Sequence, residues 1–131
     1  MPKSTMKKII FCFDIDNVLC TSPNNNYKKS RPIKKNIKLI NYLVKKGHCI
    51  KLFTSRYMGR NNENKFLAKK QGYIFTKKQL KKWKVNYHEL IFGKPSYDVF
   101  IDDKNIDFKK NWASTLLKKI KKNGFNFTKR N

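Results

Sequence analysis

The chain is short of negative charge. Eight of its 131 residues are Asp or Glu, against 32 Lys and Arg, for a formal net charge of +24. A positive field of that size attracts anionic substrates. Cysteine is also scarce. Cys12, Cys20 and Cys49 are odd in number and form no C-x-x-C pair, which argues against a disulfide framework and for buried, reduced thiols, with Cys12 and Cys49 in core strands. His48 and His88 lack the spacing of metal ligands, so their expected roles are structural. No segment reads as a signal peptide and no apolar run has transmembrane length. A cytoplasmic protein with no membrane partner is expected. No internal repeat or low-complexity linker interrupts the chain. With 39% hydrophobic and 14% aromatic residues, it is expected to fold as a single domain over residues 1–131.

The few acids are not scattered. Four of the eight, Asp14, Asp16, Asp102 and Asp103, fall in two pairs. Phe11-Cys12-Phe13-Asp14-Ile15-Asp16-Asn17-Val18-Leu19 is an apolar run that delivers two carboxylates at its end. If the run is a strand, the two-residue spacing puts Asp14 and Asp16 on one face. The pattern returns in Tyr97-Asp98-Val99-Phe100-Ile101-Asp102-Asp103. Two strands that each end in a pair of acids predict a magnesium site. A purely structural role for Asp14 and Asp16 is disfavoured, since unpaired acids at a buried strand end are costly.

The basic excess has two readings. Clustered Lys and Arg neutralise phosphates, which would point to a nucleic-acid partner. Yet Lys outnumbers Arg 28 to 4 and comes in scattered pairs, several on polar helix faces where solvation is the default. The scatter favours the compositional reading.

The pattern of apolar residues predicts a strand over Lys8–Phe13, apolar throughout as a central parallel strand should be. Cys20–Arg31, rich in Asn, reads as a loop or small flap. Ser30 and Pro32 signal a helix start, Ile33, Ile37, Ile40 and Val44 recur at helical spacing, and Gly47 stops the helix. A second strand follows over His48–Thr54. A helix over Asn61–Gln71 is ended by Gly72, a short strand covers Tyr73–Phe75, and Thr76 caps a short helix through Trp83. Strands are expected over Glu89–Phe92 and Tyr97–Ile101. A closing helix runs over Asn111–Lys122, with Trp112, Leu116, Leu117 and Ile120 inward and Asn123-Gly124 as its stop. Such alternation argues for an α/β fold, a mostly parallel sheet with helices on both faces. Ligands bind such sheets at the carboxyl ends of strands. Asp14, Thr54, Lys94 and Asp102 lie at or just past such ends.

These residue types suit phosphomonoester hydrolysis. That reaction needs a nucleophile, a proton donor for the leaving oxygen, and positive charge around the phosphoryl group. Asp14 would be the nucleophile, forming an aspartyl-phosphate, and Asp16 the general acid, then base. Magnesium takes hard oxygen ligands and keeps several waters. Asp14 and Asp102 would supply ligands, with Asp103 as ligand or support. Thr54 would bond a phosphoryl oxygen with N–H groups of the first loop, Lys94 would counter charge, and Arg56 would reach the phosphate or leaving group. Trp83, Trp112 and Phe108 read as core residues. Asp107 would support the metal acids or start the last helix, and Lys104 is a weaker rival to Lys94.

The order Phe-Asp-Ile-Asp-Asn-Val, Leu-Phe-Thr-Ser-Arg, Gly-Lys-Pro and Phe-Ile-Asp-Asp resembles the four ordered motifs of the haloacid dehalogenase superfamily of phosphatases, over about residues 8–108. The resemblance implies a Rossmann-like three-layer sandwich and a hydrolase that uses Mg2+. By it Asp14 is the nucleophile, Asp16 the acid/base, Thr54 the second-motif hydroxyl, Lys94 the third-motif lysine, and Asp102 with Asp103 the metal acids. Asp16 would also ligate the metal through its main-chain carbonyl. Asn17, Ser55 and Arg56 would contact substrate. Asn17-Val18 replaces the commoner Gly-Thr; Asn tolerates left-handed backbone, but the hydroxyl is lost. The intervals from Asp16 to Ser30 and from Arg56 to Lys94 are too short for a large cap domain, so this resembles a minimal, capless member. The signatures are similar to those of small bacterial phosphatases linked to surface-polysaccharide synthesis and, more distantly, to the phosphatase half of polynucleotide kinase-phosphatases. The expected substrate is a sugar phosphate or similar small metabolite. The alternatives are a nucleic-acid end or a non-catalytic protein that only binds phosphate or metal. A homo-oligomer would provide a lid for an open site.

Overall fold

Residues 8–106 and 111–122 are described in the computed structural model. Strand β1 (Ile10–Phe13) is followed by a small hairpin of β2 (Cys20–Thr21) and β3 (Arg31–Pro32). Then come helix α1 (Lys34–Lys45), strand β4 (Cys49–Thr54), helix α2 (Lys65–Lys82), strand β5 (Glu89–Phe92) and helix α3 (Trp112–Lys121). The architecture is α/β: β1, β4 and β5 form one parallel sheet in that order. Phe13 pairs with Leu52, and Thr54 with Phe92. The chain divides into two units, 1–97 and 98–131. The sheet, the hairpin, α1 and α2 all belong to the first. Among the described residues no helix is long and apolar enough to cross a membrane.

β4 is the centre of the sheet, and its burial alternates. Ile50, Leu52 and Thr54 are fully buried, while Cys49, Lys51 and Phe53 are half-buried. α1 packs on β4 and α2 on β5. Two successive crossovers of the usual right hand put both helices on the same face, and β4's alternation fits that. Helices on both faces, as expected from the sequence, are therefore not a feature of the first unit. α1 lays Ile37, Leu39, Ile40 and Leu43 into the core. Fully burying a side chain such as Ile40 or Leu43 contributes about 1.5–3 kcal/mol.

The expected flap is present: β2 pairs antiparallel with β3, and two short 3-10 turns, Pro23–Asn25 and Tyr27–Lys29, join them. Ser30 and Pro32 do not start the helix. Pro32 belongs to β3, Ile33 is the cap residue of α1, and the Ser30 hydroxyl turns toward Ser22 and Arg56 instead. β1 is shorter than expected and lies at one end of the strand order, with Ile10 and Cys12 exposed. Its composition marked it as buried because most of its residues are apolar, but only Phe13 reaches the core.

The largest departure is α2. One 18-residue helix replaces the expected helix, strand and second helix. Its cap is Asn64, whose side-chain oxygen accepts from Phe66 N and Leu67 N at 3.0 and 3.1 Å, so Asn61 falls outside. Gly72 lies buried within the helix and does not end it. A Cβ there would collide with the Tyr57 ring and sit 3.1 Å from Phe92. Glycine costs a helix interior about 1 kcal/mol against alanine; here it makes room for an aromatic ring. Tyr57 carries a left-handed backbone, φ 67°, unusual for a bulky residue. Its ring joins the cluster of Met58, Ala68 and Phe92. Tyr73–Phe75 is helical, and Trp83 is the half-buried C-terminal cap residue of α2.

Tyr97–Ile101 forms no strand, and its residues are exposed. The apolar run signalled what could be buried, not what it pairs with. None of the three cysteines forms a disulfide, as expected, but only Cys20 is buried; Cys12 is exposed and Cys49 intermediate. In the second unit, α3 buries Trp112, Ala113, Leu116 and Ile120, with Leu117 half-buried beside them. The expectations for Asp107, Phe108, Asn123 and Gly124 lie outside the described residues.

Candidate active site

The carboxyl edge of the parallel sheet gathers three of the residues singled out from sequence. Asp14 follows β1, Thr54 ends β4, and Lys94 follows β5 after Gly93, whose φ of 101° turns the chain. Lys94 N donates to Thr54 O at 3.1 Å, fastening the two strand ends. Lys94 Nζ lies 3.4 Å from Asp14 Oδ2 and 5.2 Å from the centre of the Tyr97 ring. The other Asp14 oxygen accepts from Ile15 N at 2.8 Å. Thr54 is fully buried, and its hydroxyl oxygen accepts from Arg56 N at 3.1 Å. That leaves the Thr54 hydroxyl proton to donate.

Burial is the largest influence on Asp14 and pushes its carboxyl above the usual value. Lys94 and Ile15 N pull it back, and the neighbouring charge of Asp16 adds to the rise. For Lys94, burial opposes the charge, but Asp14 and a bond to Tyr97 more than offset it, so its pKa is raised. The two shifts do not mirror each other because burial outweighs the attraction of Lys94 at Asp14, whereas at Lys94 the attraction of Asp14 and Tyr97 outweighs burial.

The regular strand stops short of the acidic pair. β1 ends at Phe13, and by Asp16 the backbone has turned to bridge with Cys20. Asn17 adopts the left-handed conformation expected of it, φ 68°. Asp16 Oδ1 accepts from Arg56 Nη2 at 2.9 Å and from the Ser22 hydroxyl, and Cys20 Sγ stands 3.6 Å away. Oδ2 accepts from Arg56 Nε at 3.0 Å. Each acid of the first pair thus has its own cation, Lys94 for Asp14 and Arg56 for Asp16.

Arg56, expected to contact substrate, is fully buried and committed to the protein. Its Nη1 donates to Gln79 Oε1 at 2.7 Å and Thr76 Oγ1 at 3.3 Å, and its Cζ lies 4.6 Å from the Tyr27 ring centre. Burial works against its charge, and the Asp16 carboxylate outweighs burial, so the guanidinium stays protonated. Gln79 Nε2 in turn donates to Tyr27 O in the hairpin, and Arg60 donates to Asn25 O. Thr76, Gln79, Tyr27, Ser22 and Ser30 were not legible as site residues. Their only signal was the helical spacing of Thr76 and Gln79. Glu63 was missed as well: its carboxylate accepts from both Ser96 N and Ser96 Oγ at 2.8 Å, bracing the segment that carries Lys94. Ser55 is half-buried, and its carbonyl accepts from Met58 N.

Asp102 and Asp103 belong to the second unit, where both are exposed. Lys104 N donates to Asp102 Oδ1 at 3.0 Å, which holds the Asp102 carboxyl below its usual value. Among the described residues no three of His, Cys, Asp and Glu gather as a metal-binding group. Magnesium does not require one, since one or two carboxylates plus a substrate phosphate suffice. Asp14 suits it: a hard oxygen donor, part-exposed at 28% of its side chain, in a place where burial already disfavours its charge.

No family model matches the chain, and no curated protein matches it. Among solved structures, it is similar to the crystal structure of a structural-genomics target from Vibrio cholerae. The TM-score is 0.77 at 23% sequence identity, and the alignment covers 87% of this chain and 94% of that one. At that identity the likeness concerns the fold, an α/β arrangement built on a parallel sheet.

Proposed function

We propose that the protein is a magnesium-dependent phosphomonoester hydrolase of the haloacid dehalogenase type, Rossmann-like and without a large cap. The observation that carries this reading is the convergence of Asp14, Thr54 and Lys94 at the ends of three adjacent parallel strands. An Asp14 oxygen attacks phosphorus and the ester P–O bond breaks. Asp16, released from Arg56 and carrying a proton taken from solvent, gives that proton to the leaving oxygen, then takes one from the water that attacks the aspartyl-phosphate. The Asp14 P–O bond breaks and inorganic phosphate leaves. Thr54 donates its hydroxyl proton to a phosphoryl oxygen, and Lys94 offsets the charge on Asp14 and the phosphoryl group. Asp16 must loosen from Arg56 and Ser22 to serve. Asp14 and the Asp16 carbonyl would hold Mg2+. When bound, the ion neutralises phosphoryl charge.

The expected substrate is a small phosphorylated metabolite such as a sugar phosphate. Phosphate release by wild type and Asp14→Asn, with and without magnesium, tests the mechanism. Magnesium-dependent release that disappears in the variant supports it; an unchanged rate in the variant overturns it. Preference for phosphorylated oligonucleotides over sugar phosphates would assign the nucleic-acid reading instead.

A further inference from the structure

The outer side of α2 carries a charge pattern that this chemistry leaves unused. Lys65, Lys69, Lys70, Lys77, Lys78, Lys81 and Lys82 are all exposed, and the helix contains no acid. Lys65 and Lys69 lie over the rings of Phe66 and Tyr73. Lys70, Lys77, Lys78, Lys81 and Lys82 have no ion-pair partner among the described residues. Lys65–Lys69, Lys77–Lys81 and Lys78–Lys82 stand four residues apart, where like charges work against a helix. Opposite charge laid along this side would relieve that repulsion. The same side exposes Phe66, at 76%, and Ile74, at 61%.

Three classes of occupant can be compared. A second copy of this chain would set lysines against lysines. A bilayer needs a continuous apolar stripe to sink into, but here the apolar residues are divided. Ala68 and Leu80 face the core, whereas Leu67 and Ile74 stand outside among lysines. A nucleic-acid strand fits both features. Its regular phosphates match a row of compact cations from Lys70 to Lys82, about 18 Å long, and an exposed ring such as Phe66 offers a base a face to stack on. We infer that the outer side of α2 binds a nucleic-acid phosphate backbone. Thr76 and Gln79 point the other way, to Arg56, so this surface does not rest on the proposed hydrolysis.

The test uses a short fluorescein-labelled oligonucleotide without terminal phosphates, in single- and double-stranded form, and reads anisotropy across a salt series. Lys70→Gln/Lys77→Gln/Lys81→Gln on α2 is compared with Lys34→Gln/Lys35→Gln/Lys38→Gln on α1, which removes the same charge elsewhere. The α2 variant should bind about tenfold or more weakly, its log–log salt slope for single strands reduced by about 2, while the α1 variant changes little. Phe66→Ala should weaken single-strand binding selectively, and Asp14→Asn should leave binding intact. Circular dichroism confirms that the variants are folded. Equal loss in both triple variants, no binding by wild type at low salt, or tighter capture by phosphatidylserine vesicles than by either oligonucleotide overturns the inference.

Discussion

Arg56 grips Asp16 through two parallel bonds, Nε to Oδ2 at 3.0 Å and Nη2 to Oδ1 at 2.9 Å, with its guanidinium wholly buried. Removing one partner of such a pair leaves an uncompensated charge out of water. Arg56→Ala is therefore expected to lose about 3–5 kcal/mol of stability. Arg56→Lys should recover only part of that, because a point charge cannot reproduce the planar fork. Urea unfolding of the two variants measures both. A loss below 1 kcal/mol in Arg56→Ala, about the level of a surface pair, would show that the pair holds nothing together.

The neighbouring pair titrates in a defined direction. Asp14 is raised above its usual 3.8, chiefly by burial. A carboxyl raised by folding stabilises while protonated, so its contribution is complete below 3.8 and is lost as pH climbs through the folded value. Carbon NMR of the Asp14 carboxyl in metal-free protein should show a midpoint above 3.8. Lys94→Gln removes a pull in the other direction and should move the midpoint higher still. A midpoint at or below the usual value would contradict the burial argument.

Gly72 offers a test with opposed signs. In a helix interior, Gly→Ala ordinarily gains about 1 kcal/mol. Here the new methyl meets the Tyr57 ring and Phe92, and overpacking costs about 1–3 kcal/mol. Gly72→Ala should therefore lower the melting temperature. In a Tyr57→Gly background, which also relieves the left-handed backbone, the same substitution should become neutral or stabilising.

Glu63 is expected to act on turnover through Lys94 and not on substrate affinity. Without its grip on Ser96, the Lys94 segment loosens, and small misplacements cost up to about 100-fold in rate. Glu63→Ala should lower kcat with little change in KM, and lose about 1 kcal/mol of stability. A rise in KM at unchanged kcat would assign Glu63 to binding.

At the opposite edge of the sheet, His48 sets a lower pH limit. It is buried, and its Nδ1 accepts from Ile9 N at 3.1 Å. Burial depresses its pKa below the usual 6.5. The stability it lends is thus complete above 6.5 and is lost as pH falls through the depressed value. Denaturation between neutral and mildly acidic pH should show this loss, and His48→Gln should flatten it.

Legibility in the sequence followed the range of each interaction. β4 and β5 were readable because apolar runs bounded by turn residues report local preference. The strand ends that deliver Asp14, Thr54 and Lys94 were readable for the same reason. Gly72 misled because its usual meaning, a stop, was overridden by Tyr57, a residue fifteen positions earlier that packs on it. Arg56 carries chemistry in its residue type alone, but its partners come from two distant segments, Asp16 after β1 and Thr76 with Gln79 on α2. No local pattern announces such a meeting. The same holds for Glu63 and Ser96.

The order of the three parallel strands also sets how the chain must assemble. β1 and β5 are both registered on β4, Ile10 against Cys49 and Lys51 against Glu89. Neither pairing is a hairpin; each waits on closure of a long crossover containing a helix. The entropy of both closures comes due before the sheet gains any stability. Folding is therefore governed by how early β4 is captured, and weakening Ile50 or Leu52 slows the search for both neighbours at once.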